Sequence, residues 1–442
     1  MELFERVKGG EQSLLVQAHF SHAHQDPSDT DISELKSLVH AAGWSVDSII
    51  ETKRSQPDRR YFIGKGKLEE IKKIIQENEI ELVIFNHIIS ASQERNLEEE
   101  LKCRVLDRTR VVLEIFAQRA KTYEGRLQVE LAQLTYASTR LVRAWTHLER
   151  QKGGIGVRGG PGEKQIELDR RMIKDRIRIL EKKIEKVRAS RSLSRQVRQK
   201  SHTPTISLVG YTNAGKSTLF NTLTNADVLV KDQLFATLDT MLRKFNLPYF
   251  GEVVFSDTVG FIRHLPHDLV DAFRATLEET AQADLLLHII DASDPEYRNY
   301  MAQVYKVLKE IGADHIPVIE VYNKIDALGE NHENEKIIPR VDYDQSVLLP
   351  KRVWCSAVTQ EGLGLLKDAI SVHLNKDEVI GTLILQPKNA KVRAQLYQID
   401  AILTEKITEK GEYELKVRCG FYKLQSICDD NQLELGEIFH QD

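Results

Sequence analysis

Strand-like and helix-like segments alternate along the first hundred residues. Short apolar runs with the composition of β-strands lie at 13–18, 44–50, 82–85 and 103–106. Segments with helical periodicity separate them, at 32–42, 67–78 and 92–101. Asp31 precedes the first of these helices and is predicted to be its N-cap. Because alternating strands and helices form parallel sheets covered by helices, the pattern predicts a parallel α/β domain over residues 1–107.

The middle of the chain has a different pattern, in which apolar residues repeat at intervals of four and three. One stripe comprises Leu127, Leu131, Leu134, Ser138, Leu141, Trp145 and Leu148. A second stripe comprises Ile166, Ile173, Ile177, Leu180, Ile184 and Val187. Such stripes predict two long helices that pack along an apolar seam. Residues 153–162 are Gly-rich and expected to be non-helical, so residues 108–200 are predicted to form an antiparallel helical hairpin with its tip at 152–163.

Strand–helix alternation resumes after the hairpin. Apolar strand-like runs at 205–209, 252–256 and 317–322 predict a second α/β domain over residues 201–375. Farther on, a strand at 379–385, a helix at 394–407 and a strand at 413–418 are expected. They predict a small C-terminal α/β domain over residues 376–442.

Residues 210–217 have the form G-x-x-x-x-G-K-[ST] between a predicted strand and a predicted helix, which is the context of a phosphate-binding loop. Backbone N–H groups and the helix dipole favour phosphate there. Lys216 is expected to reach the β- and γ-phosphates, and the Ser217 hydroxyl to bind Mg²⁺. Predicted nucleotide contacts in this loop are Gly210, Asn213, Ala214, Gly215, Lys216, Ser217 and Thr218.

The motif Asn-Lys-Ile-Asp at residues 323–326 follows the strand at 317–322 and predicts which base is bound. The Asp326 carboxylate would accept hydrogen bonds from two adjacent N–H groups of guanine, a pair that adenine lacks, so GTP is favoured. Asn323 is expected to hold the loop and Lys324 to cover the ring. Ser356 and Ala357 match the last guanine-contacting element of GTPases. The motifs together predict a P-loop GTPase domain of the Ras-like class.

The sequence Asp-Thr-Val-Gly at residues 257–260 ends the strand at 252–256. Asp257 is expected to hold Mg²⁺ through water, and the Gly260 N–H to contact the γ-phosphate. Thr237 is predicted to be a second Mg²⁺ ligand, on a loop ordered by the γ-phosphate, with Thr240 as the alternative. Lys216, Thr237 and Gly260 are the predicted catalytic residues.

Phe261 stands where Ras-like proteins carry the Gln that orients the attacking water. A phenyl ring cannot hydrogen-bond water, so intrinsic hydrolysis is expected to be slow unless another group assists it. Asn213 resembles the K⁺-coordinating Asn of some GTPases with a hydrophobic residue at this position, so a K⁺ ion there is one source of assistance. Activation by a macromolecular partner is the other.

Composition and charge narrow the class of partner. The 442 residues are 41% hydrophobic and 29% charged, and the four cysteines form no C-x-x-C pair, which predicts a cytoplasmic protein with reduced thiols and no membrane span. Residues 150–200 hold 17 Lys and Arg against 6 Asp and Glu, a net charge of +11 in a chain of net charge −4. Such a basic segment favours nucleic acid. The predicted RNA-binding residues are Lys152, Gly154, Arg158, Lys164, Arg170 and Arg171.

The motifs resemble those of the HflX family of ribosome-associated GTPases. Those specific to the family lie at 153–156, 161–163, 169–171 and 257–263, and Phe261 belongs to the pattern. The resemblance implies that the protein binds the large ribosomal subunit and its RNA, hydrolyses GTP faster on the ribosome, and splits or rescues stalled ribosomes under stress. The protein is expected to be a monomer. Gly160 is an addition to the family's usual tip sequence.

A rival hypothesis is an RNA-remodelling NTPase that acts on ribosomal RNA or in ribosome assembly and uses ATP. The guanine-specific pattern at 323–326 argues against ATP at this site. A non-hydrolysing scaffold is disfavoured because Lys216, Ser217 and Asp257 are all present.

Overall fold

The chain divides into two compact units. In the computed structural model, the described residues are 12–20, 29–143, 161–200, 203–224, 234–235, 237, 241–248, 250–263, 279–328, 338–344, 349–375, 378–399, 401–408, 411–431 and 433–441. The first unit comprises Met1–Val187, Lys231–Asp239 and Ile262–Phe273. The second comprises Arg188–Val230, Thr240–Phe261 and Arg274–Asp442.

A four-stranded sheet forms the centre of the first unit. Its strands are β1 (Gln12–Phe20), β2 (Ser45–Arg54), β3 (Leu82–Phe85) and β4 (Arg104–Asp107). They are all parallel, in the order β2-β1-β3-β4. The accompanying helices are α1 (Asp29–Ala41), α2 (Lys65–Asn78), α3 (Ala91–Leu101) and α4 (Arg108–Arg119). The predicted parallel α/β fold is confirmed. Strands β1 and β3 are buried on both faces, and such strands require the near-continuous apolar runs seen in the sequence.

Helix capping differs from the sequence prediction at α1. The helix begins at Asp29, so Asp31 lies inside its first turn and its prediction as N-cap is wrong. A capping box does start α3, where the Ser90 Oγ accepts from the Gln93 N–H and the Gln93 side chain accepts from the Ser90 N–H. Asp107 caps α4 by accepting from the Arg110 N–H at 2.8 Å.

Two long helices follow, α5 (Tyr123–Arg143) and α6 (Pro161–Lys200). Residues of both predicted stripes share one hydrophobic cluster, namely Leu127, Leu131, Leu134, Ile173, Ile177, Leu180 and Ile184. Beside it, Glu130 and Arg176 form an ion pair at 2.6 Å. Pro161 and Gly162 were expected to be non-helical but begin α6, since proline is tolerated in a first helical turn. Residues 144–160 lie outside the described part of the chain.

A seven-stranded sheet dominates the second unit. Its strands are β5 (Thr205–Gly210), β6 (Met241–Leu247), β7 (Gly251–Asp257), β8 (Leu285–Asp291), β9 (Val318–Asn323), β10 (Arg340–Tyr343) and β11 (Pro350–Trp354). The order is β10-β11-β9-β8-β5-β7-β6. The five inner strands are parallel, and β6 and β10 are antiparallel edges. Its described helices are α7 (Lys216–Thr224), α8 (Tyr297–Glu310), α9 (Ile325–Leu328) and α10 (Leu363–Leu374).

The C-terminal part has a separate four-stranded antiparallel sheet. The strands are β12 (Glu378–Leu385), β13 (Ile402–Ile407), β14 (Tyr413–Gly420) and β15 (Phe439–Gln441). The helices are α11 (Ala390–Gln398), α12 (Phe421–Asp430) and α13 (Leu435–Ile438). The predicted helix over 394–407 is wrong, because the chain ends α11 at Gln398 and continues as β13. Among the helices that the structure describes, none has the length and apolarity needed to cross a membrane.

Candidate nucleotide site

The predicted motifs converge at one edge of the seven-stranded sheet. β5, β7, β8, β9 and β11 run parallel, so their carboxyl ends point the same way. The phosphate loop follows β5, Asp257 ends β7, Asn323 ends β9, and Ser356 comes shortly after β11. Open α/β sheets bind ligands at this edge.

Backbone geometry explains the glycines of the phosphate loop. Gly210 has φ 151°, and a Cβ there would lie 2.3 Å from the Ile289 carbonyl oxygen. Gly215 has φ 92°, and a Cβ there would lie 2.2 Å from the Asn323 Nδ2. Asn213 is exposed at φ 62°, a conformation that Asn tolerates better than most residues. Any larger side chain at 210 or 215 would push the loop out of shape.

Lys216 is buried beneath this loop. Its Nζ donates to the carbonyl oxygens of Tyr211 at 2.7 Å and Gly210 at 3.1 Å. Burial lowers the pKa of the Lys216 ammonium to about 8, while the nearby Asp257 carboxylate acts in the opposite direction. The Lys216 ammonium is therefore desolvated and is stabilised by two carbonyl dipoles and by the nearby Asp257 carboxylate.

Two of the predicted Mg²⁺ ligands, Ser217 and Asp257, lie in the second unit and are adjacent. The Ser217 Oγ donates to the Asp257 Oδ2 at 2.8 Å, and Asp257 is fully buried. A hydroxyl and a carboxylate are the hard oxygen ligands that Mg²⁺ prefers, so the residues fit this ion. Thr237 is partly exposed in the first unit, and its role as a ligand stays a prediction. Thr240 lies outside the described residues.

Gly260 and Phe261 lie directly against the phosphate loop. A Cβ on Gly260 would be 2.7 Å from the Thr212 Cγ2 and 3.0 Å from the Lys216 Nζ. The Phe261 N–H donates to the Gly210 carbonyl oxygen at 3.2 Å, and the Phe261 carbonyl accepts from the Thr212 N–H at 2.9 Å. The Phe261 ring is 4% exposed. Phe261 thus braces the phosphate loop through its backbone, a function that its side-chain type did not reveal.

Asn323 joins the base motif to the phosphate loop. Its Nδ2 donates to the Ala214 carbonyl oxygen at 2.9 Å, and its Oδ1 accepts from the Ala357 N–H at 2.9 Å. The structure therefore brings three predicted segments together through one buried amide. Asp326 is exposed in α9 and available to a base, while Ser356 is buried and its Oγ accepts from the Thr359 N–H.

Asp291 is a site residue that the sequence prediction missed. It ends β8, and its carboxylate pairs with the Lys324 Nζ at 2.7 Å. It also accepts from the Ser293 N–H and hydroxyl, at 3.0 Å and 2.6 Å. The pair fixes where the Lys324 side chain points, and Lys324 itself has φ 64°. Its place at the end of a buried parallel strand was the available signal.

The predicted RNA-binding residues are only partly described. Arg170 and Arg171 are exposed on α6 and line a surface groove with the basic residues Lys174 and Arg178. The acidic residues Glu167 and Asp175 line the same groove. Lys164 lies in the first turn of α6. Lys152, Gly154 and Arg158 fall outside the described residues.

Taken together, a phosphate loop and an Asn-Lys-x-Asp loop on one parallel-sheet edge define a P-loop GTPase, an enzyme that hydrolyses GTP to GDP and phosphate. Three family models match in succession along the chain. Their descriptions are GTP-binding GTPase N-terminal at 29–117, GTP-binding GTPase Middle Region at 119–198 and 50S ribosome-binding GTPase at 205–324. The chain belongs to the HflX family of GTPases, as its similarity to curated members shows.

Two such relatives match over most of their length. GTPase HflX of Escherichia coli (strain K12) is 49% identical over 426 residues, which cover 96% of this chain and 97% of that protein. GTPase HflX of Magnetococcus marinus is 46% identical over 384 residues, 86% of each. A solved structure of a GTP-binding protein from the archaeon Sulfolobus solfataricus in complex with GDP is 26% identical and covers 82% of this chain and 98% of its own, with a TM-score of 0.44. The two HflX relatives confirm the family resemblance seen in the motifs.

Proposed function

We propose that the protein is a Mg²⁺-dependent GTPase whose nucleotide state sets its affinity for the large ribosomal subunit. The exposed basic face of α6 around Arg170 and Arg171 carries the proposal for the partner. A helix face with a net positive charge, in a chain of net charge −4, attracts the phosphates of folded RNA. The match of residues 205–324 to the 50S ribosome-binding GTPase model supports the same partner.

Residues of this chain supply most of the predicted chemistry. Ser217, Thr237 and, through water, Asp257 would hold Mg²⁺, which neutralises charge on the β- and γ-phosphates when bound. Lys216 would add a second positive charge in a desolvated place, where electrostatic stabilisation is strongest. The Gly260 N–H would donate to the γ-phosphate, and Asp326 would bind guanine.

A group that orients the attacking water is lacking at residue 261, where the buried Phe261 ring stands. Hydrolysis is therefore expected to depend on the bound ribosome, which would complete the site. The bound ribosome would thereby stimulate the hydrolysis that converts the GTP-bound protein to its GDP-bound state. We place its action in the cytoplasm, on stalled ribosomes that it splits or rescues under stress.

Co-sedimentation with purified ribosomal subunits tests the switch. A non-hydrolysable GTP analogue should retain the protein on the large subunit at least about tenfold better than GDP, a coupling within the usual allosteric range. Charge reversal by Arg170→Glu with Arg171→Glu should weaken binding, since phosphate contacts depend on charge. Lys306→Glu with Lys309→Glu, on the exposed side of α8, is the matched control and should bind normally. Equal binding in both nucleotides would contradict the switch, and equal binding by the two charge-reversed variants would contradict the α6 interface.

A K⁺ ion at Asn213 is the second proposed aid to hydrolysis. If K⁺ stabilises transition-state charge, the rate in K⁺ should exceed that in Na⁺ by on the order of tenfold or more, by analogy with an added cationic group. Asn213→Gly keeps the left-handed backbone and should remove the difference between the two salts. Equal wild-type rates in K⁺ and Na⁺ would rule out the K⁺ site.

A further inference from the structure

A buried ion pair in the first unit holds both backbone groups of Arg263. The Arg108 guanidinium donates to the Arg263 carbonyl oxygen at 3.1 Å, and the Glu34 Oε1 accepts from the Arg263 N–H at 3.4 Å. Arg108 and Glu34 pair with each other at 2.5 Å, with 6% and 9% of their side chains exposed. We call this pair the Arg108–Glu34 clamp. Residue 263 lies three positions after Gly260, which is the predicted γ-phosphate contact. The clamp therefore holds the segment that follows this contact in the chain.

The clamp is anchored in the parallel sheet. The second guanidinium nitrogen of Arg108 donates to the Asn86 Oδ1 at 2.9 Å, and the Asn86 Nδ2 donates to the Gln17 Oε1 at 2.7 Å. Gln17 lies within β1, Asn86 directly follows β3, and both side chains are buried. A buried, hydrogen-bonded guanidinium has little rotational freedom, so the clamp presents a fixed donor to the chain at 263.

Helix α4, which begins at Arg108, also contacts a second segment. Phe116 of α4 packs edge-to-face on Phe235, with ring centroids 4.7 Å apart and planes at 82°. Phe235 is 2% exposed and has φ 57°, which is costly for a bulky residue and persists only where packing enforces it. Residue 235 lies two positions before Thr237, the predicted Mg²⁺ ligand. Helix α4 therefore contacts both segments that flank predicted γ-phosphate ligands.

We propose that α4, through the Arg108–Glu34 clamp and Phe116, positions these two segments and thereby sets the preference of the site for GTP over GDP. Arg108, Glu34 and Phe116 are positioning residues and touch no nucleotide. The inference rests on the proposed function, because it needs Gly260 to contact the γ-phosphate. Within the second unit, Gly260 lies against Thr212 and Lys216, the place where that phosphate would bind. GDP lacks the γ-phosphate, so its binding should not depend on the clamp.

The double variant Glu34→Leu with Arg108→Met tests the clamp. Replacing both charges by apolar residues avoids the unpaired buried charge that either single change would leave. Affinity for a non-hydrolysable GTP analogue should fall about 5-fold or more, within the usual range for coupled sites, while GDP affinity changes less than about twofold. Phe116→Leu, which keeps an apolar side chain in α4, should shift the same ratio and provides a second test if the double variant folds poorly.

Two further variants separate the causes. Ile71→Val removes one methylene from the fully buried core of α2 in the same unit, and should leave the GTP-to-GDP ratio unchanged. Gly260→Ala should lower analogue affinity directly, because its Cβ collides with Thr212. If Gly260→Ala leaves the ratio unchanged, the proposed γ-phosphate contact is wrong. If Gly260→Ala lowers the ratio but the folded clamp variant or Phe116→Leu does not, the positioning role of α4 is wrong.

Discussion

Lys216→Met is expected to reduce kcat/KM for GTP by on the order of 10³-fold, the loss that accompanies removal of one preorganised group facing developing charge. The side chain is buried, and its ammonium is held by two loop carbonyls beside Asp257. Met has a similar length and no charge, so the pocket stays filled while the contact with the phosphates disappears. Single-turnover hydrolysis with and without large ribosomal subunits measures the loss.

Thermal unfolding separates this effect from misfolding. Burial disfavours the Lys216 ammonium in the free protein, as its lowered pKa shows, so the nucleotide-free Met variant should unfold at the same or a higher temperature than the wild type. GTP should raise the unfolding temperature of the wild type and have little effect on the variant. A variant that unfolds early without nucleotide would instead indicate that Lys216 stabilises the loop.

The pH dependence of binding follows from the same group. The pKa of Lys216 in the free protein is about 8, so its charge is present below pH 8 and is lost as the pH rises through that value. Bound phosphates favour the charged form and raise the pKa, so GTP affinity should be constant below pH 8 and fall by up to about tenfold per unit above it. Titrations with a fluorescent GDP and a GTP analogue at pH 7, 8 and 9 measure the slope. Lys216→Met should show no such slope.

Asp326→Asn is expected to change base specificity, with kcat/KM for GTP falling on the order of 10⁴-fold. The exposed carboxylate on α9 would accept two hydrogen bonds from guanine, whereas an amide offers one acceptor and one donor group. Xanthine carries a carbonyl where guanine has its amino group and pairs with that arrangement. Xanthosine triphosphate should therefore restore most of the lost activity.

The control for this change is Asp314→Asn, at an exposed Asp elsewhere in the same unit. It removes the same charge and should leave both substrates unaffected. A loss with GTP that xanthosine triphosphate fails to restore would mean that Asp326 supports the loop and does not bind the base.

Local sequence signals located most of the elements because their causes are local. The strand at Leu82–Phe85 is indicated by a short apolar run. The helix after the phosphate loop is indicated by the glycines that precede it and by its helix-start residues. The helix predicted over 394–407 was wrong because the apolar spacing of this segment did not distinguish α11 from β13, the antiparallel partner of β14. Pairing with a distant strand decided that segment, which propensity could not foresee.

The sequence by itself determined the ligand class of this protein, because phosphate and guanine recognition each depend on a few residue types at fixed spacing on adjacent strand ends. Tertiary structure alone decided how those residues are supported. Asn323 joins three segments, Asp291 orients Lys324, Phe261 braces the phosphate loop through its backbone, and Arg108 with Glu34 holds residue 263. These contacts join residues far apart in the chain, and hydrogen bonds to backbone atoms leave no residue-type pattern to find.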